Sequence, residues 1–141
     1  MYTIIVGGGQ VGACLASLLL AEKHQIKIID HRKDRIALLG ESIPAEMLIL
    51  GSGSDPNILE AAGIHKANVV AAITGSDETN LVVCSLARLE FKVPRIIARV
   101  NNPKNAWLYT PEMGVDVALN QADLLAHLIA EEMSLGDMMT C

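Results

Sequence analysis

The chain has 141 residues, 11 lysines and arginines against 16 aspartates and glutamates for a formal charge of −5, and is 51% apolar with only 3% aromatic residues. That is one domain's worth of chain, long enough to bury roughly two thirds of the surface it exposes when unfolded. The acidic balance argues against attraction to nucleic-acid backbones or anionic membranes, and no apolar run approaches the ~20 residues that a bilayer-spanning helix needs.

In chain order, short apolar runs alternate with stretches of helical spacing. Residues 2–6 read as a first strand, 7–12 as a glycine-rich turn and 13–23 as a helix. A second strand over 26–29 closes on Asp30, and a third covers 47–50. Asp55-Pro56 places a capping residue before a proline at the first helical position, and Gly63 suits the end of that helix. A fourth strand over 69–73 leads into Thr74-Gly75-Ser76-Asp77-Glu78-Thr79-Asn80, where Asp77 reads as a cap of the next helix with Asn80 in its third position, or as a residue facing a ligand. A fifth strand over 96–100 is followed by Asn102-Pro103, a further helix beginning, and Gly114 again suits a helix end. A sixth strand over 115–119 precedes Asn120 and Asp123, a variant capping arrangement for a helix over 120–133 whose Leu124, Leu125, Leu128 and Ile129 form one apolar stripe.

Strand–helix alternation with short connections predicts right-handed crossovers and an α/β fold, a Rossmann-like, doubly wound parallel sheet of six strands with helices on both faces. The near-absence of aromatics fits a core of Val, Ile, Leu, Ala and Met, as such sheets have. Cys14, Cys84 and Cys141 are odd in number, far apart and without C-x-x-C spacing, which supports neither a disulfide nor a zinc framework. The four histidines, His24, His31, His65 and His127, lack ligand spacing and read as surface residues. With no signal peptide legible ahead of the first strand, a cytoplasmic location is expected. The tail 134–141 has no terminating element, so a missing C-terminal region is expected to follow.

Chemistry concentrates in the first turn. Gly7-Gly8-Gly9-Gln10-Val11-Gly12 satisfies G-x-G-x-x-G between a strand and a helix, where orphan N–H groups and the helix dipole favour an anion. Gly7 permits the turn, Gly9 lets a pyrophosphate approach the backbone, and Gly12 lets helix and strand pack closely. Asp30 lies 18 positions beyond Gly12, where a carboxylate accepts from both adenosine ribose hydroxyls and repels a 2′-phosphate, which favours NAD(H) over its phosphorylated counterpart; His31, Arg32 and Arg35 lie close by. Ligands of such sheets sit where the winding reverses, between the first and fourth strands, so Thr74 and Gly75 are expected to face the ligand and Gly51, Ser52 and Gly53 to flank its adenine side. Arg99, inside an apolar run, needs a partner: a nucleotide phosphate, or a nearby carboxylate. A dehydrogenase would need a proton-transfer group and a substrate pocket, and neither is legible. The chain reads as a binding module without catalytic or metal-ligating residues.

These residues resemble the N-terminal nucleotide-binding domain of the RCK or KTN family, as in the peripheral subunit of bacterial Trk potassium uptake systems. The resemblance covers 1–133 and rests on the 7–12 loop, Ile-Ile-Asp at 28–30, Gly-Ser-Gly-Ser-Asp-Pro-Asn-Ile-Leu at 51–59, Ala-Ala-Gly-Ile at 61–64, Thr-Gly-Ser-Asp-Glu-Thr-Asn at 74–80 and Ile-Ala-Arg-Val at 97–100. It implies a regulatory domain on the cytoplasmic face of a K⁺ transporter or channel subunit, forming homodimers or larger rings that change shape as NAD(H), ATP, ADP or AMP exchange. On that basis Gly7, Gly8, Gly9, Gln10, Val11 and Gly12 would surround the phosphates, Asp30 the ribose, Gly51 and Ser52 the adenine side, and Thr74, Gly75 and Arg99 the deeper cleft. ATP-responsive relatives often carry Arg where Gln10 stands, so Gln10 points to NAD(H), while many members have Asp in place of Ser52. The 120–133 helix resembles the family's crossover helix, whose stripe packs on a partner subunit; the alternative is that the stripe completes this domain's own core. Readings from other classes are an NAD-binding fragment of an oxidoreductase and a sensor module fused to a hydrolase such as a phosphoesterase.

Overall fold

In the computed structural model, which describes the backbone of residues 1–140 and the side chains of residues 1–135, six parallel strands form one sheet in the order β3-β2-β1-β4-β5-β6. They are β1 (Tyr2–Val6), β2 (Gln25–Asp30), β3 (Leu48–Leu50), β4 (Val69–Ala72), β5 (Arg95–Val100) and β6 (Val117–Asn120). The helices are α1 (Gln10–Ala21), α2 (Lys33–Leu39), α3 (Pro56–Ala61), α4 (Asp77–Ser85) and α5 (Gln121–Thr140). Winding runs outward from β1 through β2 and β3, then restarts at β4 beside β1, so the reversal falls between β1 and β4.

Alternation along the strands divides the core in two. Ile5, Ile26 and Ile28 are buried against Ala16 of α1 and Leu39 of α2, whereas Ile4, Val6, Val70, Ala72, Ile96 and Ala98 are buried with Leu59 of α3 and Val83 and Cys84 of α4. Both faces of the sheet are thus covered, which is why its strands read as continuous apolar runs rather than alternating ones.

Punctuation behaves largely as the sequence predicts. Asp55 caps α3 by accepting from Asn57 N at 2.9 Å, and Gly63 and Gly114 adopt left-handed backbone just past their helical turns. Asn102 caps its segment too, but Pro103–Leu108 and Pro111–Met113 are separate three-ten turns rather than α-helices. Pro111 has no N–H to give and holds Thr110 extended, so the two turns cannot fuse. Val115 is a buried plug ahead of β6 rather than part of it. The capping role read for Asp77 belongs to Ser76, whose hydroxyl accepts from Thr79 N at 3.2 Å. Asp77 turns away to the segment after β5, where its carboxylate accepts from Asn101 N, Asn102 N, Asn105 Nδ2 and Tyr109 Oη.

The helix expected over 120–133 runs on to Thr140, with Asn120 Oδ1 accepting from Asp123 N at 3.0 Å at its start. Every described side chain from 121 to 135 is exposed, and Leu124, Leu125, Leu128 and Ile129 are each about half exposed. The stripe therefore does not complete this domain's core. Of the 134–141 tail, Cys141 and the side chains of 136–140 lie outside the described residues. No helix among the described residues is long and apolar enough to cross a membrane.

Candidate functional site

A cavity of about 660 Å³ opens at the carboxyl ends of the strands, over the β1/β4 reversal. Gly7, Gly9, Gln10, Val11, Asp30, Gly51, Ser52, Thr74, Gly75 and Arg99, all expected around one ligand, line it together. Gly8 and Gly12 of the same expectation do not. Gly12 faces inward, where a Cβ would come within 2.0 Å of Gly7 O, so its bareness serves the β1–α1 packing. Gly8 points its N–H at Asp30 Oδ2 (2.7 Å) while its carbonyl accepts from Arg35 Nε, so it braces the loop from behind.

The glycines on the lining fall into different physical classes. Gly7 has φ +122°, and a Cβ there would meet Ile73 O at 2.8 Å, so the chain itself requires glycine. Gly75 has nothing within 4 Å of its Cβ position, and Gly9 has only Arg32 Nη2 at 4.0 Å. Neither has positive φ. Their missing side chains leave open a space that no part of the protein fills.

Donors converge on that space. Helix α1 begins at Gln10 without a side-chain cap, and its first internal bond is Ala13 N to Gly9 O at 2.9 Å. The N–H groups of Gln10, Val11 and Gly12 precede it and have no intrahelical acceptor. Arg99 is half-buried and reaches the cavity from β5; its Nε donates to Asn101 Oδ1 at 2.9 Å. Among the described residues no carboxylate lies within salt-bridge distance of it. The carboxylate partner weighed for Arg99 is therefore not found, and its charge faces the cavity.

Opposite stands Asp30, 5% exposed at the end of β2. Oδ1 accepts from Arg32 N (2.8 Å) and Nε (3.0 Å), and Oδ2 from Gly8 N (2.7 Å) and Arg32 Nη2 (2.9 Å). Burial alone would raise its pKa, but the hydrogen bonds and charge of Arg32 and the Gly8 N–H outweigh it and hold the carboxyl down at about 2. It is an anion at every physiological pH.

The far wall is fixed by Asn80, fully buried on α4. Its Oδ1 accepts from Thr74 N (2.9 Å) and Thr74 Oγ1 (2.6 Å), and its Nδ2 donates to Thr74 O (3.1 Å) and Arg99 O (3.0 Å). One side chain thus holds the ends of β4 and β5 in register. Sequence reasoning missed several lining residues. His31, read as a surface residue, and Arg32 lie on the rim beside Asp30, and adjacency to Asp30 was the available signal. Gln121 enters from the start of α5 and Thr79 from α4, positions that only the sheet order brings to the cavity. Among the described residues no group of three or more His, Cys, Asp or Glu side chains could hold a metal ion.

This arrangement, an anion-attracting helix start facing an ionised carboxylate across an open cradle, suits a molecule that carries both phosphate and ribose. The family model described as the TrkA-N domain matches residues 3–121. The Trk system potassium uptake protein TrkA of Mycobacterium tuberculosis is 37% identical over 138 residues, covering 98% of this chain and 62% of that protein. This chain thus spans about three fifths of that relative. Among solved structures, the GsuK channel bound to NAD superposes with a TM-score of 0.78 at 23% identity, over 96% of this chain and 24% of that one. GsuK bound to ADP gives 0.75 at 24% identity, over 92% and 32%. At these identities the structural likeness shows the fold.

Proposed function

The chain belongs to the TrkA-N domain family, and on that premise we propose that it is a cytoplasmic nucleotide-sensing regulatory domain of a potassium uptake system, coupling NAD(H) or adenine-nucleotide occupancy of the β1/β4 cleft to K⁺ transport by a membrane partner. The observation that carries this reading is the pair Gly9 and Gly75, bare positions that the fold does not require and that open the cradle beside the start of α1. In this reading Gly7, Gly9, Gln10 and Val11 surround the phosphates, Arg99 and Thr74 reach them from the deeper side with Gly75 giving room, Asp30 takes the ribose, and Gly51 and Ser52 flank the adenine. Gly8 braces the loop from behind, and Gly12 packs its Cα inward while its N–H belongs to the free donors at the start of α1. Gln10 brings no positive charge to a terminal phosphate, which favours NAD(H) over ATP.

Regulation rather than hydride transfer is supported by the relatives, which are named potassium uptake proteins. The exposed stripe of α5 is the surface we assign to a second copy of the chain, α5 serving as a crossover helix that continues past residue 133 to Thr140. The partner would hold the domain at the inner face of the membrane.

Calorimetric titration tests the ligand. NADH should bind in the micromolar range and at least as tightly as ATP, while Gly9→Ala and Gly75→Ala should leave the melting temperature unchanged and weaken binding tenfold or more. No binding below about 1 mM, or binding indifferent to Gly9→Ala and Asp30→Ala, would overturn the reading.

A further inference from the structure

Asp30 has no acceptor position to spare. An ionised carboxylate offers about four lone-pair sites, and here all four are taken: two by the backbone N–H groups of Gly8 and Arg32, two by the Nε and Nη2 of the Arg32 guanidinium. The backbone donors are built into the loop and the strand end. The guanidinium donors are not, for the Arg32 side chain is 49% exposed while that of Asp30 is 3% exposed. Its planar fork places one N–H on each carboxylate oxygen. A vicinal diol, with one O–H for each oxygen, would need the same two positions.

We propose that Arg32 is a displaceable plug of the ribose subsite, a specificity-determining side chain that occupies the diol's acceptors on Asp30 and must swing out before an unmodified ribose can dock. The inference rests on the nucleotide reading of the cavity. With the plug in, a nucleotide can place its phosphates on the α1 start but cannot engage Asp30. The state open to the diol is a minority of the free protein, and the apparent affinity is reduced by that fraction. Arg32 Nη2 lies 4.0 Å from the Cβ position of Gly9, so the guanidinium already stands beside the phosphate loop.

The experiment compares ADP with 2′,3′-dideoxy-ADP, which keeps adenine and phosphates but presents no diol, on the wild-type chain and on Arg32→Ala and Arg32→Met, the latter keeping an unbranched apolar stem without the fork. Wild type should distinguish the two ligands only weakly, because the diol's gain is offset by the ion pair it breaks. In both variants ADP should tighten about fivefold or more, while the dideoxy ligand stays level or weakens as a positive charge near the phosphates is lost. The ADP preference should therefore grow about tenfold. A purely structural role for Arg32, or a generic charge effect, moves both ligands together. ADP binding that is unchanged or weaker in both variants, or a dideoxy ligand that tightens equally, overturns the plug while leaving the nucleotide reading in place. Failure of wild type and variants alike to bind either ligand overturns both.

Discussion

Asp77 allows a prediction in which the obvious conservative substitution is expected to fail. Its two oxygens accept five times: Oδ1 from Asn101 N at 2.7 Å, Asn101 Nδ2 at 3.3 Å and Tyr109 Oη, Oδ2 from Asn102 N and Asn105 Nδ2, both at 2.9 Å. Asn at this position has one acceptor oxygen, so its amide nitrogen must face at least two of those donors. Tyr109 can turn its hydroxyl to accept, and Asn105 can flip to present its oxygen. Neither remedy is open to the backbone N–H that remains, Asn101 N in one orientation and Asn102 N in the other. The irreducible loss is one hydrogen bond to a charged acceptor together with the charge-assistance of the others, about 2 kcal/mol for Asp77→Asn and about 3 kcal/mol for Asp77→Ala. For a chain of this length about 2 kcal/mol corresponds to a fall in melting temperature of roughly 5–10 °C.

Chemical denaturation at several pH values is the assay. Burial would raise the Asp77 pKa, but the hydrogen bonds from Tyr109, Asn101, Asn105 and Asn102 prevail and hold it well below the ordinary carboxylate range. Its stabilising contribution is therefore fully present above the unfolded value of about 4 and is lost only as pH falls below that. The gap between wild type and Asp77→Asn should be constant from pH 8 to pH 5 and narrow only in acid. An Asp77→Asn protein within about 0.5 kcal/mol of wild type at pH 7 would refute the reasoning, as would a gap that closes near neutrality.

Other outcomes follow from the same geometry. Asn80→Asp should cost about 3 kcal/mol by thermal denaturation, because it replaces a donor to Thr74 O and Arg99 O with an anion facing two carbonyls. Gly12→Ala should destabilise by roughly 3 kcal/mol or more, since its Cβ would stand 2.0 Å from Gly7 O, whereas Gly75→Ala should be within about 0.5 kcal/mol of wild type in the same melt. Alkylation of the native chain at pH 8, read by peptide mass spectrometry, should label the exposed Cys14 and spare Cys84, which is fully buried and whose thiol is pushed up to about 12 by burial first and by the Asp116 charge second. Leu128→Asp, at a half-exposed position, should leave monomer stability unchanged and abolish self-association in sedimentation if α5 meets a second copy.

What could be read from the sequence was what is encoded locally. The G-x-G-x-x-G spacing, the apolar run that precedes it and Asp30 at the next strand end each declare themselves within a few residues, and the alternation of elements supplies the sheet order by topology rules. Features that depend on pairing across distance were not legible. Asp77 and Ser76 compete for the cap of α4, and only the donors supplied by residues 101–109 decide that Asp77 leaves it. Helix α2 has no capping side chain at Arg32, because a guanidinium only donates and cannot accept from a helix N–H, so nothing announced its start. Gln121 reaches the cavity because β6 lies at the edge of the sheet beyond β5, a juxtaposition of residues far apart in the chain.

Helix α5 gives the domain a mechanical property as well as an exposed surface. At 1.5 Å per residue its 20 residues extend about 30 Å, and its first residue belongs to the cavity wall. A tilt of roughly 10° at that root would carry the far end about 5 Å, a displacement close to one helical turn. The domain is built like a short pivot with a long pointer, in which a change too small to disturb the sheet is magnified several-fold at the other end of the helix.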